Sequence, residues 1–589
     1  MNRREKDILY KMSKTPYITQ REMAQINECS LGAVNQSIRN LQEKGYLDAE
    51  KKITDKARTF LKDIRPKNAI ILAAGYGMRM VPINTETPKG LLEIYGEPLI
   101  ERIIKQLHEV GINEIYIVVG FMKECYEYLM DEYGVELIIN TEYSNKNNLH
   151  SLNRAIDHLG NTYIIPCDVW CKNNPFAEEE LYSWYMITEQ MDYESNIKMN
   201  RKKELIAIPQ ESMGNSMIGI SYLDKNDAMV VCSNVQKMCK LSKFNNSFWE
   251  EALYISGKML VSAKLVSENK VIEINTYEQL RELDNGSSNL NSKVIEIAAS
   301  ALKVDVTEIA QISLLKKGMT NRSFLFNCKQ KKYIMRIPGE GTEQLINRAE
   351  EAEVYTAIKE QKLCDPVIYL DQKNGYKITE YLENARVCDA FSEADITKCM
   401  FKLKYFHELA LKVEHEFDIF GQIEFYESLW KEKESVYKDY EDTKEKVFAL
   451  KEYIELQPRQ KVLTHIDAVP DNFLFYTGAD GAEEICLIDW EYAAMQDPHV
   501  DIAMFCIYSL YNREQIDKLI DIYFEGKCQK SIRIKIYCYI AACGLLWSNW
   551  CEYKRCLGIE FGEYSIRQYR YAKEYYRIVK NQWMDIKNV

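Results

Sequence analysis

The sequence predicts a multidomain α/β protein. A chain of 589 residues is too long for one hydrophobic core and indicates about three or four domains. Between residues 67 and 283, short apolar runs alternate with helical patterns, which predicts a mostly parallel sheet with helices on both faces. After residue 294 a β-rich stretch precedes a long helical stretch, which predicts a further unit with two lobes.

Composition restricts the class of protein. The net charge of −12 and the pI near 5.4 argue against a protein covered with nucleic acid and leave only local basic patches as candidates. The 17 cysteines form no C-x-x-C pair, so we expect reduced thiols. The opening residues, MNRREKDILY, are charged where a signal peptide is apolar, and no run approaches the ~20 apolar residues of a membrane span. We therefore expect a cytoplasmic protein without membrane contact.

Residues 1–65 form the first predicted domain. ITQREMAQI predicts a short amphipathic helix, and Ser30 can cap a second helix in which Leu31, Val34, Ile38 and Leu41 recur at helical spacing and face inward. GYLDAEKKITDKARTFL predicts a short wing and a return helix. The segment resembles winged helix-turn-helix domains, in which the second helix of the pair enters the major groove of DNA. DNA is therefore a candidate partner, and the alternative is a helical protein-interaction or dimerisation module.

A glycine-rich turn follows the first predicted strand of residues 67–283. The apolar run 69–74 ends at Gly75 and Gly77, where backbone N–H groups can approach a polyphosphate. Arg79, and Lys89 in the segment TPKG, bring positive charge to the same place. An ordinary strand-to-helix turn is the alternative, but LAAG, G-x-R and P-K-x-L at this spacing form a more specific pattern.

These motifs resemble the nucleotidyltransferases that move a nucleoside monophosphate onto a phosphorylated small molecule, especially the bacterial phosphocholine cytidylyltransferases. The resemblance implies CTP and phosphocholine as substrates. It also implies that Asn148 and Ser151, at the start of a predicted helix, bind the base, whereas a local helix cap is the alternative. The expected nucleotide-binding residues of this domain are Leu72, Ala73, Ala74, Gly75, Gly77, Gly120, Asn148 and Ser151.

Mg²⁺ is the expected metal of this domain. Asp168 ends the predicted strand NTYIIPCDVW, where a carboxylate can share Mg²⁺ with a triphosphate, and the resembling enzymes have an aspartate at this place. Their second ligand lies in a segment E-I-D, which here reads E-I-N with Asn275 in the last position. Because asparagine offers a neutral oxygen, the resemblance implies that this position holds the ion more weakly.

The segment NSFWEEALY groups Trp249, Glu250 and Tyr254. Aromatic faces and carboxylates attract a trimethylammonium group, at about 0.5 to 2 kcal/mol for each cation–π contact. These three residues are therefore candidates for binding phosphocholine. A tryptophan packed on a helix is the alternative for Trp249.

Residues 284–293, rich in Asn, Ser and Gly, predict a linker. The domain after it, residues 294–589, is predicted to have a small β-rich lobe to about residue 380 and a helical lobe from residue 381. Gly318 and Asn321 mark a turn that could cover phosphates. Arg336 lies in a predicted strand of the small lobe, as a cation for a nucleotide. Its partner is expected on the following helix, and the candidates are Glu350, Glu351 and Glu353.

Three motif residues carry the predicted chemistry of the helical lobe. Asp467, Asn472 and Asp489 stand in VLTHIDAVPDNFLFY and ICLIDWEYA, which match the patterns H-x-D-x-x-x-x-N and I-D-x-E. Asp467 can deprotonate a substrate hydroxyl while Asn472 and Asp489 hold Mg²⁺ on the phosphates of ATP. Glu491 can add a metal contact, and His465 is expected to support the loop. The motifs resemble the choline and ethanolamine kinase and aminoglycoside phosphotransferase superfamily, which implies a protein-kinase-like fold.

Trp547 and Trp550 bear on the acceptor of this kinase-like domain. They stand three residues apart and can share one helix face. The surrounding sequence resembles the closing helices of bacterial choline kinases, in which tryptophans contact the quaternary ammonium, although core packing is the alternative. An aminoglycoside kinase would gather acidic residues near its C-terminus, and the mixed charge of this tail favours choline.

The two resemblances together predict successive reactions. ATP-dependent phosphorylation of choline would give phosphocholine, whose phosphate would then attack the α-phosphorus of CTP and release pyrophosphate. Arg79 and Lys89 would stabilise the charge on the leaving oxygens. Two alternatives stay open: ethanolamine or another amino alcohol as the acceptor, and a transcription regulator that senses choline or nucleotide through enzyme-like domains. The oligomeric state is open as well.

Overall fold

The chain divides into two units, residues 1–293 and residues 294–589. The computed structural model describes residues 1–15, 18–27, 29–209, 212–315, 321–339, 346–430, 434–478, 480–556 and 561–587. Gly318 lies outside the described residues. No helix among the described residues combines the length and the apolar character that crossing a membrane requires.

Four helices build the first 65 residues. They are α1 (Arg3–Lys14), α2 (Gln20–Ile26), α3 (Leu31–Glu43) and α4 (Asp55–Asp63). The Ser30 hydroxyl accepts the N–H of Ala33 at 3.2 Å, which confirms the predicted cap of α3. The segment predicted as a wing contains an antiparallel bridge between Leu47 and Ile53.

The apolar stripe of α3 is buried along most of its length. Val34, Ile38 and Leu41 are almost inaccessible to solvent, as helical spacing predicts. Leu31 is 41% exposed, so its predicted inward position is wrong. It is the first residue of the helix and lies beyond the small core that the other three residues share.

Helix α1 was not predicted, and it joins this four-helix region to the sheet domain that follows. Ile8 and Leu9 fill the small core. On the other side of the helix, the hydroxyl of Tyr182 donates to the Asp7 carboxylate at 2.9 Å, and the Lys14 ammonium lies 2.6 Å from a carboxylate oxygen of Glu179. Residues 1–65 are therefore bound to the next domain by polar contacts of α1.

Residues 67–283 alternate strands and helices, as the sequence predicts. The strands are β1 (Asn68–Ala73), β2 (Glu93–Ile94), β3 (Glu97–Pro98), β4 (Glu114–Val119), β5 (Glu136–Ile139), β6 (Thr162–Pro166), β7 (Val169–Cys171), β8 (Trp184–Asp192), β9 (Ile197–Met199), β10 (Glu204–Ala207), β11 (Gly214–Leu223), β12 (Tyr254–Ile255), β13 (Lys258–Val266) and β14 (Val271–Glu273). The helices are α5 (Leu99–Glu109), α6 (Tyr128–Tyr133), α7 (Asn148–Arg154), α8 (Lys225–Met238) and α9 (Tyr277–Leu283).

The main sheet has a parallel half and a mixed half. Strands β5, β4, β1 and β6 are neighbours in that order and run parallel. Strand β11 pairs antiparallel with β6, and the order continues through β8, β13, β10 and β9 with one parallel pair, β8 with β13. The prediction of a mostly parallel sheet therefore holds only for the first half. Two neighbouring strands that run parallel need a crossover connection. The chain from β8 to β11 instead passes through the short strands β9 and β10.

The predicted linker, residues 284–293, is bound to the β2–β3 hairpin region. The Asp284 carboxylate accepts the N–H of Tyr95 at 2.6 Å, and the Asn289 side-chain oxygen accepts the N–H of Glu93 at 2.8 Å. Ser292, nearly inaccessible to solvent, donates its hydroxyl to Glu86 at 3.1 Å. These bonds fix the end of the first unit.

The second unit begins with a small lobe. Its helices are α10 (Lys293–Leu302) and α11 (Arg348–Ile358). Its strands are β15 (Ala310–Leu314), β16 (Asn321–Cys328), β17 (Lys331–Pro338), β18 (Val367–Leu370) and β19 (Lys377–Glu380). They form one antiparallel sheet in the order β15, β16, β17, β19, β18, and α11 follows β17 in the chain.

The helical lobe carries the longest helices. Its helices are α12 (Glu393–Glu408), α13 (Ile419–Ser428), α14 (Tyr440–Leu456), α15 (His499–Tyr508), α16 (Arg513–Tyr523), α17 (Lys530–Cys556) and α18 (Glu563–Lys587). Its strands are β20 (Arg386–Val387), β21 (Val462–Thr464), β22 (Phe473–Thr477), β23 (Glu483–Leu487) and β24 (Ala494–Gln496). Helix α17 is buried along most of its length, which makes it the centre of the apolar core of this lobe.

Candidate active sites

The predicted phosphate loop follows the carboxyl end of β1, next to the ends of β4 and β6. Gly77 has a φ of +59°, a conformation that glycine adopts without steric cost. A Cβ at Gly120 would lie 2.7 Å from the ring of Tyr143 and 2.8 Å from the carbonyl oxygen of Ala74, closer than such atoms approach. The Ala74 carbonyl accepts the N–H of Phe121 at 3.1 Å. Both glycines are therefore required by the close packing of the loop.

The end of β1 is held by its neighbours on both sides. Leu72 is in register with Val118 of β4, and its carbonyl accepts the N–H of Cys167 at 3.2 Å. Ala73 is in register with Val119. This pairing fixes where the chain leaves the sheet and enters the loop at Gly75.

Four predicted residues from four separate segments meet beside this loop. The Lys89 ammonium forms an ion pair with Asp168 and donates to the Asn275 side-chain oxygen at 2.8 Å. The Arg79 guanidinium donates to the same oxygen at 3.0 Å. Two fixed cations therefore stand next to one carboxylate, which is an arrangement for binding a polyphosphate.

Two carboxylates beside these cations suit a hard metal ion. One oxygen of Asp168 is buried without a hydrogen-bond partner. Burial, and then the negative charge of Asp168, raise the pKa of Glu273. Mg²⁺ would supply further positive charge at this pair, so Asp168 fits the expected metal. The Asn275 oxygen is occupied by Arg79 and Lys89, and the sequence analysis did not single out Glu273.

The two predicted base-binding residues serve contacts within the domain. The Asn148 side-chain oxygen accepts the N–H of Trp249 at 2.8 Å, which ties the start of α7 to the turn that follows α8. Ser151 is buried, and its hydroxyl accepts from Asn140 at 3.1 Å. Both residues therefore shape the wall behind the loop.

The three candidates for binding phosphocholine lie in different environments. Trp249 is 1% exposed and packs in the core of the sheet domain, so its ring offers almost no surface to a ligand. Glu250 accepts from the hydroxyl of Tyr185 at 3.0 Å, while its second oxygen is buried without a partner. Burial raises the pKa of Glu250 to about 7. Tyr254 is half-buried and donates its hydroxyl to Asn196 at 3.0 Å. Glu250 is therefore the candidate among them with an unused polar atom.

In the second unit, Arg336 on β17 forms a buried ion pair with Glu351 on α11. Two guanidinium nitrogens lie 2.5 and 2.8 Å from the two carboxylate oxygens. Glu351, rather than Glu350 or Glu353, is therefore the residue in contact. Because the pair joins the small-lobe sheet to its helix and is almost fully buried, removing either partner would leave an uncompensated charge.

A network connects this ion pair to the predicted metal ligands. Arg336 lies 4.0 Å from Asp489 and 3.8 Å from Glu491. Glu491 also lies 3.3 Å from Arg348 and accepts from the side chain of Asn321 at 2.9 Å. Burial and Asp489 raise the pKa of Glu491 to about 7, while Arg336 opposes that rise. Glu491 is therefore occupied by polar partners of the small lobe.

Asp467, Asn472 and Asp489 converge in one place. The Asn472 amide donates to the backbone oxygen of Asp467 at 2.8 Å and to its carboxylate at 3.0 Å. Burial, and then the charge of Asp489, raise the pKa of Asp467 well above its ordinary value. The backbones of Ile466 and Asp489 have φ of +67° and +66°, and strain of this kind clusters at functional sites. The two neighbouring carboxylates of Asp467 and Asp489 fit Mg²⁺, whose remaining ligands would come from nucleotide and water.

The loop before Asp467 is fixed by a buried carboxylate. Asp501 accepts the N–H of His465 at 2.9 Å and that of Ile466 at 2.7 Å. It also lies 3.0 Å from a ring nitrogen of His407. Burial lowers the pKa of His465 to about 4, so its ring is neutral at pH 7 and it supports the loop. Asp501 is the positioning residue that the motif does not include.

Trp547 and Trp550 lie together on α17, with ring centroids 5.2 Å apart. Trp550 is 3% exposed and Trp547 is half-buried. The ring of Tyr492 is 6.5 Å from that of Trp547. Burial raises the pKa values of Tyr492 and Tyr564, and the charge of Asp467 is a smaller cause, behind Tyr426 and Glu491 for Tyr492 and behind Cys551 for Tyr564. An aromatic wall therefore stands near Asp467, and the two tyrosines lie outside the patterns that the sequence analysis used.

Within the described residues, no group of three or more His, Cys, Asp and Glu side chains is close enough to form a complete metal site.

Comparison with known proteins separates the same two regions. A model of the choline/ethanolamine kinase family matches residues 312–542, and a model of the MobA-like NTP transferase domain matches residues 69–183. The chain is 32% identical over 227 residues to the choline-phosphate cytidylyltransferase of Streptococcus pneumoniae, covering 99% of that protein and 38% of this chain.

Two further relatives differ in the activity that they are named for. The chain is 30% identical over 227 residues to the 2-aminoethylphosphonate cytidylyltransferase of Lancefieldella rimae, covering 92% of that protein and 37% of this chain. The crystal structure of choline kinase LicA from Streptococcus pneumoniae is 30% identical, with a TM-score of 0.42, covering 98% of that protein and 48% of this chain.

Proposed function

The chain belongs to the choline-phosphate cytidylyltransferase family through its middle region and carries a choline/ethanolamine kinase domain after it, and we propose that the two domains make CDP-choline in two steps. The kinase domain transfers a phosphoryl group from ATP to choline. The cytidylyltransferase domain transfers CMP from CTP to phosphocholine and releases pyrophosphate. The observation that carries the proposal is the presence of two sites, one rich in cations and one rich in carboxylates, each suited to one of these steps.

The kinase site is suited to a neutral nucleophile. A hydroxyl group attacks only as its proton leaves, so a base must stand beside it. Asp467 is held by Asn472 and has a raised pKa, which makes it a better proton acceptor than an ordinary carboxylate. Asp467 takes the choline proton, and Asn472 with Asp489 would hold Mg²⁺, which supplies charge neutralisation on the ATP phosphates.

The cytidylyltransferase site is suited to a nucleophile that is already ionised. The phosphate of phosphocholine needs no base, and the charge develops on the leaving pyrophosphate. Lys89 and Arg79 converge on the Asn275 oxygen and can turn to these phosphate oxygens when the nucleotide binds. Asp168, with its unpartnered oxygen, and Glu273 beside it would hold Mg²⁺ against the same phosphates.

The aromatic wall of the kinase domain supports choline over ethanolamine. The rings of Trp547 and Tyr492 stand edge to face with their centroids 6.5 Å apart, and aromatic rings bind a quaternary ammonium through cation–π attraction. The primary ammonium of ethanolamine needs hydrogen-bond acceptors in place of ring faces. An amino alcohol or a phosphonate is the alternative acceptor, which the similarity to a 2-aminoethylphosphonate cytidylyltransferase keeps open.

The experiment is ³¹P NMR of the purified protein with choline, ATP, CTP and Mg²⁺. We expect a phosphocholine signal first and CDP-choline with pyrophosphate later. Parallel reactions with ethanolamine and with 2-aminoethylphosphonate measure acceptor preference. The absence of both phosphocholine and CDP-choline from a folded protein would refute the assignment and favour a sensor role for the two domains.

For residues 1–65 we propose a winged helix-turn-helix domain that binds DNA. The support is the capped helix α3 behind α2, the bridge between Leu47 and Ile53, and charge: this segment has 14 Lys and Arg against 9 Asp and Glu in a chain of net charge −12. The measurement is salt-dependent binding of a random duplex library by the full chain and by the chain lacking residues 1–65. Equal binding by both would refute the proposal and leave a protein-interaction module.

A further inference from the structure

A cavity of about 500 Å³ lies where α1 meets the sheet domain. Its wall includes Trp184, at the start of β8, which is in register with Tyr222 of β11. Tyr222 is in register with Tyr163, near the start of β6, whereas Asp168 follows the end of β6. The cavity therefore lies at the other end of these strands from the candidate cytidylyltransferase site, and it belongs to neither candidate active site.

Four of the polar side chains that line this cavity can only donate hydrogen bonds. Trp184 is 6% exposed, and its indole N–H has no hydrogen-bond partner. The Lys264 ammonium lies 3.8 Å from the centroid of the Trp184 ring and donates to the carbonyl of Pro175 at 2.9 Å. The guanidinium of Arg3 on α1 and the ammonium of the exposed Lys203 belong to residues that also line the cavity. Because an indole N–H, an ammonium and a guanidinium cannot accept hydrogen bonds, the ligand must supply the acceptors.

The carboxylates in the wall are neutralised by the protein itself. Glu179 lies 2.6 Å from the ammonium of Lys14 and 3.7 Å from the guanidinium of Arg65. Glu180 accepts from the hydroxyl of Tyr163 at 2.8 Å and lies 3.6 Å from Lys264. These contacts leave the positive charges of the cavity in excess, which favours an anionic ligand.

We propose that this cavity binds a small organic phosphate that links α1 to the catalytic sheet. A phosphate ester carries up to two charges and three acceptor oxygens, which matches the charges of Arg3 and Lys203, with Lys264 shared with Glu180, better than a single carboxylate does. The rings of Tyr10 and Tyr182 and the side chains of Met199 and Leu265 give apolar surface for the organic part. The volume is within the range of about 300 to 1,000 Å³ found for small-molecule sites.

Occupancy of the cavity couples the N-terminal domain to the enzyme. Arg3 belongs to α1, whereas Lys203 and Lys264 belong to the sheet domain, so one phosphate contacts both. A bound ligand then orders α1 against the sheet and restricts the motion of residues 1–65. A phosphate ester made or used by this chain would in this way report its concentration to the N-terminal domain.

The test is hydrogen–deuterium exchange of the full-length Lys89→Ala protein, in which the candidate cytidylyltransferase site has lost its phosphate-binding lysine. The probes are inorganic phosphate, phosphocholine and CDP-choline. Choline, which carries no phosphate, is the control. We expect at least one phosphate probe, and not choline, to slow exchange in residues 3–14 and 262–265. Comparing the three probes distinguishes recognition of phosphate alone from recognition of an ester.

A charge-reversing substitution at the rim of the cavity tests whether the probe binds there. In the Lys203→Glu variant we expect the half-saturating concentration of the active probe to rise about tenfold, as the loss of one charge-assisted hydrogen bond requires. Lys202→Glu is the matched control, since this exposed lysine does not line the cavity. Absence of protection with all three phosphate probes, or protection that Lys203→Glu leaves unchanged, would overturn the proposal. The readout is exchange, so this result does not depend on whether the proposed reactions occur.

Discussion

The two candidate active sites handle phosphate with opposite charges. Beside the loop after β1, Lys89 and Arg79 surround one asparagine oxygen, and Asp168 is paired with Lys89. In the helical lobe, Asp467 and Asp489 stand close enough to raise the pKa of Asp467. The first site supplies two cations beside its carboxylates, whereas the second has two carboxylates at its centre with Arg336 4.0 Å from Asp489, and both sites are proposed to hold Mg²⁺.

This difference follows from the nucleophile that each site activates. A phosphate monoester arrives ionised, so the protein has to stabilise a leaving group. A hydroxyl arrives neutral, so the protein has to remove a proton, and a buried carboxylate with a raised pKa does this at the cost of an unfavourable charge. The charge around each site therefore indicates which acceptor it activates.

The largest effect is expected for Asp467→Asn. The amide keeps the shape of the side chain but cannot accept a proton, so phosphorylation of choline should fall about 10²- to 10⁴-fold. Synthesis of CDP-choline from added phosphocholine should be unchanged. Phosphorus NMR measures both activities in one sample.

The control for this variant is Asp471→Asn, an exposed neighbour outside the carboxylate cluster whose partner is the hydroxyl of Tyr508. It should retain most of the kinase activity. Loss of both activities in a folded Asp467→Asn protein would show that the two sites do not act separately.

Lys89→Ala is expected to have the next largest effect, and it should act on the cytidylyltransferase site instead of the kinase site. Without its ammonium, the site loses one of the two charges that stabilise the leaving pyrophosphate, and CMP transfer should fall about 10²- to 10³-fold. Kinase activity should stay unchanged. Pyrophosphate release from CTP and phosphocholine is the measurement, and Lys240→Ala, at an exposed lysine of the same domain, is the control. A small effect would show that Arg79 alone neutralises the leaving group.

The pH dependence of the cytidylyltransferase should reveal Glu250. Because its pKa is raised to about 7, the carboxyl becomes neutral as the pH falls through 7 and no longer attracts the trimethylammonium group. The KM for phosphocholine should rise about tenfold between pH 8 and pH 6, since the ionised fraction falls about tenfold for each unit below the pKa. In Glu250→Gln the KM should be high at both pH values. A KM that rises equally in this variant would assign the effect to the phosphate of the substrate.

Trp547→Ala tests whether aromatic rings bind the quaternary ammonium in the kinase site. We propose that the trimethylammonium group lies beside Glu250 in the cytidylyltransferase site and beside aromatic rings in the kinase site. Loss of one cation–π partner should raise the KM for choline about tenfold and change the KM for ethanolamine less. Trp430, buried in the core of the same lobe, shows by Trp430→Phe what is lost with core packing and with the 3.2 Å hydrogen bond from its indole to the carbonyl of Asn549. An equal increase for both amino alcohols would mean that Trp547 serves packing.

How well the sequence predicted the structure depended on the range of the interactions. Local patterns predicted the strands β1, β4 and β6, the helices α3 and α5, and the cap at Ser30, because spacing and capping act within a few residues. The antiparallel half of the main sheet could not be predicted, because strand pairing depends on partners far along the chain.

The same limit applies to the candidate sites. The motif residues Asp467 and Asn472 are five apart, and the sequence was sufficient to group them. Asp501 and Tyr492 join the sites only through the fold, so no local pattern selected them. Glu273 stands in the segment E-I-N, where the resemblance pointed to Asn275 instead. Trp249 shows the converse: its residue type suggested a ligand, whereas its burial makes it a core residue.

The smallest effect is expected for Asn275→Asp, which makes the cation-rich site more like the other. The Asn275 oxygen accepts from both Arg79 and Lys89, so a neutral amide leaves these cations free to turn to the nucleotide. A carboxylate would bind both cations more strongly and also offer Mg²⁺ a charged ligand. The Mg²⁺ concentration for half-maximal CMP transfer should fall about threefold, while kcat falls because Arg79 and Lys89 are held back. Mg²⁺ titration of pyrophosphate release measures both. If kcat rose together with the apparent affinity for Mg²⁺, the metal would be limiting in this site, and its excess of cations would be a consequence of losing that aspartate.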